Sequence, residues 1–281
     1  MVMNRPSALV FISIVLSQWP SLAHASSPVD EHLTEITIGA ELFRWQEFDS
    51  AGNRLLTEQG PRARFKVSHH NEARLTGGFI YNGSVSLYGG NYLEDVKYDG
   101  QSQPGGHFSA ADVDYSGGSF ELLGGFRFKE QFWGRSLDLL AGAGLDSWRR
   151  DIGSGINSQG ASVRGLVEDY KIVFTRFSIG MENRRTYWRS LWRVGVKYPI
   201  FTKETLDDPS VELEPGKELS TFFMYRFRFA ENGNVNEGMY IDLVYDSYRF
   251  SKSPTVTSGN FLVHQPESSM DLIGLSASWV F

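Results

Sequence analysis

The last ten residues, LIGLSASWVF, divide cleanly when taken in steps of two. Ile273, Leu275, Ala277, Trp279 and Phe281 fall on one face, and Leu272, Gly274, Ser276, Ser278 and Val280 on the other. A side-chain period of two marks a strand, so the spacing predicts a two-faced strand running to the final residue. One face is apolar and ends in aromatics; the other is mostly small or hydroxylated. The same alternation recurs upstream. Met239, Ile241, Leu243 and Tyr245 oppose Gly238, Asp242 and Asp246, and Thr221, Phe223, Tyr225, Phe227 and Phe229 oppose Ser220, Arg226 and Arg228. Trp192, Val194, Val196, Tyr198 and Ile200 oppose Arg193, Gly195 and Lys197. Leu137, Leu139, Ala141, Ala143 and Leu145 oppose Asp138, Gly142, Gly144 and Asp146. Phe120, Leu122, Phe126 and Phe128 face away from Glu121 and Arg127, as Val173, Phe177, Ile179 and Met181 do from Arg176, Ser178, Gly180 and Glu182. Three less regular segments come first: Ile36 to Leu42, Arg62 to Tyr81 (one long strand or two), and Ser84 to Tyr98.

This pattern predicts an all-β chain of about ten strands, within about eight to twelve. The connections alternate in length. Short turns are predicted at Asn82-Gly83, near Lys129 to Arg135, near Arg185 to Arg189, and at Glu231 to Asn236; Asn-Gly is the tight hairpin signal. Long polar links are predicted at Ser50 to Gly60, Gly100 to Ala111, Gly153 to Glu168, Thr205 to Glu218 and Ser251 to Ser269. An even number of antiparallel strands, with short turns at one end and long loops at the other, is the layout of a closed transmembrane β-barrel with periplasmic turns and extracellular loops.

The N-terminus supplies the compartment. Met1 to Ser7 carries a charge at Arg5, Ala8 to Leu16 is apolar apart from Ser13, and the segment closes on Ala23-His24-Ala25. That is a secretory signal peptide, with an apolar core too short to span a membrane. Cleavage is expected after Ala25, leaving residues 26–281 as a single barrel domain. With no cysteine, the mature chain has no disulfides; the six histidines show no clustering with carboxylates at metal-ligand spacing, so neither metal nor cofactor is expected. A net charge of −6 argues against nucleic acid as a partner. The mean hydropathy of −0.28 is that of a water-soluble chain, although 14% of its residues are aromatic.

The charges decide which solvent meets which face. A soluble sandwich or lipocalin-like barrel would enclose the apolar faces and show the charges to water. Here the apolar faces hold more rings than so small a bore can enclose. Turned outward they meet lipid, and the mixed charges then pair inside.

Signal peptide, alternating strands, alternating loop lengths and a terminal aromatic strand together resemble the Gram-negative outer-membrane β-barrel proteins. The resemblance implies residence in the outer membrane, contact with lipid and lipopolysaccharide, and insertion by the barrel-assembly machinery. Ile273, Leu275, Trp279 and Phe281 would form the signal that machinery reads. The ten-strand layout with five long loops also resembles the omptin proteases, with a local likeness in LEPGKELSTFFMYRF through Pro215-Gly216-Lys217. That family places an acidic pair opposite an Asp–His couple. Asp112 and Asp114 stand in for the pair, but LDDPSVELEPGK offers no histidine, and His107 and His264 lie in other loops. General-base chemistry needs the base present, so no catalytic residue is assigned. A lipid-modifying enzyme would need a Ser–His couple; Ser68 and His70 share a face but read as lumen residues. Asp112, Asp114, Asp207 and Asp208 read as solvated loop acids.

The expected lumen network comprises Glu121, Arg127, Asp138, Arg176, Glu182, Arg193, Lys197, Arg226, Arg228 and Asp242. Ten strands lie close to the size at which side chains fill the bore, so a largely occluded, charged lumen is expected. The function expected is a non-catalytic, monomeric outer-membrane barrel whose loops make contacts or bind ligands. The alternatives are a narrow solute pore or an omptin-like or lipid-modifying enzyme.

Overall fold

The computed structural model describes residues 31–72, 77–90, 96–101, 107–132, 135–184, 188–207, 210–229, 238–259 and 261–281. The expected signal peptide, with Ala23 and Ala25, lies outside them. The described chain forms β1 (Glu31–Phe48), β2 (Arg54–Glu72), β3 (Gly78–Gly89), β4 (Val96–Gln101), β5 (His107–Phe132), β6 (Arg135–Ile152), β7 (Gly155–Ile156) and β8 (Ser162–Val163). It continues with β9 (Leu166–Arg184), β10 (Trp188–Asp207), β11 (Ser210–Leu213), β12 (Ser220–Phe229), β13 (Gly238–Phe250), β14 (Val256–Ser258), β15 (Phe261–Val263) and β16 (Glu267–Val280).

Ten of these close an antiparallel ring in the order β1-β16-β13-β12-β10-β9-β6-β5-β3-β2 and back to β1. Closure leaves the ring itself without an edge, which hydrocarbon demands because it offers backbone groups no partner. The last residue takes part: Phe281 N donates to Thr34 O at 2.9 Å, and Thr34 N to Phe281 O at 3.2 Å. β4 lies outside the ring count but between β2 and β5, taking over from β3 above Gly89. β7–β8 and β14–β15 are small hairpins, and β11 folds back on β10.

The wall has two zones. From Ile36 to Leu42 on β1, and from Ile273 to Phe281 on β16, outward side chains are apolar; Leu42 and Phe281 are each 65% exposed, Leu275 61%. This belt continues through Phe65, Phe79, Phe126, Leu139, Phe177, Val194 and Ile241. Above it the outer face turns charged. Arg44 and Arg249 both reach Asp271 (3.4 and 2.6 Å), Arg149 pairs with Asp169 (2.8 Å), and Lys203 with Glu212 (2.6 Å). Strands of 18 to 26 residues exceed the 9–11 that a tilted strand needs to cross lipid, and the excess forms this crown. Inside the crown the apolar set is inverted: Trp45, Tyr98, Tyr115, Trp148, Tyr170, Tyr248 and Phe250 pack inward as the main hydrophobic core.

Several predicted connections are corrected by this extension. Asn82-Gly83 is not a turn: Asn82 pairs with His70 on β2 and Leu123 on β5, in mid-strand. The reversal lies between Glu72 and Gly78, where Gly77 and Gly78 supply φ values of 82° and 149°. Arg62 to Tyr81 is therefore two strands, and Ser84 to Tyr98 is split between β3 and β4. The link expected from Ser50 to Gly60 is a tight turn at 49–53, closed by Asp49 Oδ1 accepting from Ala51 N and Asn53 N at 2.8 Å each. Thr205 to Asp207 likewise remain in β10. The crown's polar outer face has the composition of loops but the pairing of strands.

Glycines shape the bore by accepting rings. A Cβ on Gly144 would lie 2.5 Å from Phe174 Cζ, one on Gly195 2.6 Å from Phe222 Cζ, and one on Gly117 2.6 Å from Tyr88 Cε2. Each ring comes up against bare backbone and fills space that a side chain on the glycine would claim.

Candidate functional site: the bore and its crown

Within the belt, inward charges are tied across neighbouring strands. Arg127 forks onto Asp138 (2.7 and 2.8 Å) and reaches Glu182 at 2.7 Å; Glu182 in turn takes Arg189 at 2.5 Å. Arg226 grips Asp242 (2.6 and 2.8 Å) and Glu35 (2.6 and 2.8 Å). Arg176 reaches over β6 to Glu121 at 2.7 Å, and Lys197 takes Asp246 at 2.8 Å. Bidentate charge-assisted contacts are the strong kind, and here they satisfy groups that would be costly if left alone. Arg228 lies over the Tyr240 ring at 5.2 Å. Arg193 faces the same space and has none of these ties. Alternation puts Glu35 on the polar face, but the expected network does not include it, nor Tyr88, Tyr240 or Arg189, the last because its stretch has the composition of a turn.

A crossbar divides the bore. The carboxylate of Asp146 on β6 accepts the hydroxyls of Tyr88 on β3 and Tyr248 on β13, the latter at 2.6 Å. Lys197 Nζ lies 3.3 Å over the Tyr248 ring, pinning the bar from β10. Below it is a chamber of about 190 Å³ lined by Ser68, His70, Glu121, Asp138, Arg176, Arg193 and Arg226, among others. Leu33, Tyr240 and Val280 cluster at its lower end.

Above the crossbar, inside the crown, four carboxylates surround one guanidinium. Arg150 contacts Glu47 (3.3 Å), Glu58 and Glu168. Trp45 Nε1 and Gln265 Nε2 donate to Glu47 at 2.9 and 3.1 Å, and the Tyr115 hydroxyl donates to Glu58 at 2.5 Å. Glu204, fully buried, completes the group with neither oxygen hydrogen-bonded. Tyr170 leans toward it, but its hydroxyl donates to Glu168 at 3.1 Å. The crown stands clear of the apolar belt, and burial sets the acidities there. Burial pushes Glu168 up to about 7 against the pull of Arg150, with Glu47 and Glu58 adding to the rise. Burial also raises Glu204 well above the ordinary carboxylate range, reinforced by Glu168 and Glu47.

Glu204 escapes a simple reading of the sequence. Counting in twos from Trp192 puts it on the lipid face. A bulge between Pro199 and Phe201 inserts one residue, exposes both Ile200 and Phe201, and turns Thr202 and Glu204 inward. Proline marks such a site because it cannot donate to the ladder.

With this geometry the chain can be set beside known proteins. No protein-family model matches the sequence, and no curated protein matches it. Among solved structures it is similar to the outer membrane protease OmpT of Escherichia coli, with a TM-score of 0.56 and 10% identity over 89% of this chain and 96% of that one. The chain has the omptin-like, ten-stranded outer-membrane barrel fold. Ail, the attachment invasion locus protein of Yersinia pestis, and the translocator domain of the autotransporter NalP of Neisseria meningitidis are more distant. Their TM-scores are 0.33 and 0.39, at 14% and 9% identity, over 89% and 91% of this chain and 99% and 90% of theirs.

On this omptin-like barrel, Asp114 points outward from the crown, between the inward Val113 and Tyr115, and does not face the bore. The side chain of Asp112 and all of Asp208 lie outside the described residues. Asp207 Oδ1 accepts from Val167 N at 3.1 Å. His107 pairs with Asp99 on the β4–β5 hairpin, both largely exposed, and lies seven residues or roughly 23 Å of strand from Asp114. His264 is exposed in the last loop, faced by Lys252. The Asp–His couple and the acidic pair of the omptin resemblance are thus not brought together on these residues. Ser68 and His70 both line the chamber.

Proposed function

We propose that this protein is a monomeric, non-catalytic barrel of the Gram-negative outer membrane that does not conduct solutes and presents its crown and loops to the exterior for contact. Ile273, Leu275, Trp279 and Phe281 form the strand read by the barrel-assembly machinery, and lipopolysaccharide borders the crown. The observation that carries the reading is the filled crown: Trp45, Glu58, Trp148, Arg150, Tyr170 and Glu204 are at most 3% exposed. Together they occupy the bore where an outward-bound solute would have to pass. Around this plug the loop hairpins expose Ile156 (70%) and Leu262 (74%), apolar tips suited to a contact surface. Reconstitution of residues 26–281 into planar bilayers tests the plug. Silent membranes are expected; stable, unitary conductance steps would overturn the reading in favour of a narrow pore.

A further inference from the structure

Below the crossbar, the 190 Å³ chamber has room for about six waters at the roughly 30 Å³ each occupies in the liquid. Three of its guanidiniums are spoken for: Arg226 by Glu35 and Asp242, Arg176 by Glu121, Arg127 by Asp138 and Glu182. Arg193 is different. Among the described residues it has no hydrogen bond or ion pair, and its Nε is buried without a partner. Its head lies over Gly180, where a Cβ would stand 3.6 Å from Nε. Arg176, Arg226 and Arg127 all repel its charge, and Asp138, which offsets them, is already held in the Arg127 fork.

An ion pair would have been simple to build here, as every neighbouring arginine demonstrates. Instead, a guanidinium lines the chamber with like charges around it, and positive potential concentrates in a low-dielectric pocket. The serine hydroxyls of Ser84, Ser86 and Ser119 line the same chamber from β3 and β5 and can donate to an anion without adding charge. A planar fork with free N–H groups matches an oxyanion's paired oxygens. We propose that the chamber binds one compact oxyanion of the size of inorganic phosphate, with Arg193 as its principal ligand. The anion completes the ion-pair network from the turn end of the barrel, beneath the crown plug.

The test uses the folded mature barrel in detergent, titrated with sodium phosphate or with sodium chloride at matched ionic strength, and followed by thermal unfolding and calorimetry. Phosphate is expected to raise the unfolding temperature saturably above the chloride control, with one site per chain, and sulfate to compete. Arg193→Met is expected to weaken phosphate binding by at least about tenfold. Equal shifts in phosphate and chloride, or unchanged phosphate binding in Arg193→Met, would overturn the proposal. Should that variant fail to fold, equilibrium dialysis of the parent barrel decides: one phosphate per chain displaced by sulfate upholds the site, and none retained refutes it.

Discussion

At the residue scale, the bore depends on glycine as much as on charge. A Cβ at Gly195 would lie 2.1 Å from the Phe177 carbonyl oxygen as well as against the Phe222 ring, so neither backbone nor ring has room to yield. Gly195→Ala is expected to cost about 1–3 kcal/mol of folding stability through overpacking. Urea unfolding in lipid vesicles, followed by tryptophan fluorescence, measures it; a neutral substitution would mean the ring does not rest on that backbone. The arginines follow a related rule, since Arg127, Arg176, Arg189 and Arg226 are each matched by carboxylates from other strands, whereas Arg193 has no such match among the described residues. Pairing residues so far apart in sequence, Arg226 with Glu35 for example, draws the first and later strands of the ring together.

At the element scale, the long strands β1, β2, β5, β6, β9 and β10 build a water-facing crown with its own acid–base behaviour. Glu168 and Glu204 face Arg150, Glu47, Glu58 and Tyr170 in a site short of positive charge. Both carboxyls hold protons more tightly in the folded crown than in the unfolded chain, where glutamates titrate near 4.5. The contribution of Glu168 to stability is therefore full below that value and is lost as pH climbs through about 7, and that of Glu204 is lost in the same direction as pH rises. The barrel is expected to unfold at lower urea concentration at about pH 8.5 than at about pH 5.5, and Glu204→Gln to narrow the gap. A parent protein equally stable at both would show that the folded crown does not hold protons on these carboxyls more tightly than the unfolded chain does. The crown was also the least legible part of the chain. Its outward Arg44, Arg149, Asp169 and Lys203 resemble loop residues, and only their ladder partners reveal strands.

At the scale of the whole molecule, the barrel spans two solvents, and the change from apolar to charged outer face locates the boundary. Leu275, outward and paired with Ala40 near the middle of the belt, should tolerate a cation poorly: Leu275→Arg is expected to cost about 2–4 kcal/mol. Gln46→Arg, outward in the crown, should change stability by no more than about 0.5 kcal/mol. Both are read by urea unfolding in vesicles. Equal costs would move the boundary or remove it.

The alternation of side chains along each strand was determined by sequence alone, and with it the barrel class, the lipid face and most of the lumen charges, including Glu121, Arg127, Asp138 and Arg226. This holds because a period of two is local geometry, and because lipid and water select opposite residues on the two faces. Tertiary structure decided what depends on register between distant segments. The ladder that places Asn82 and Gly83 in mid-strand overrides their turn propensity. The bulge after Pro199 reverses the facing of everything beyond it and so creates the Glu204 site. The Tyr88–Asp146–Tyr248 crossbar and the solitary Arg193 arise only when ten strands close, since closure, not local pattern, determines which side chains meet across the bore.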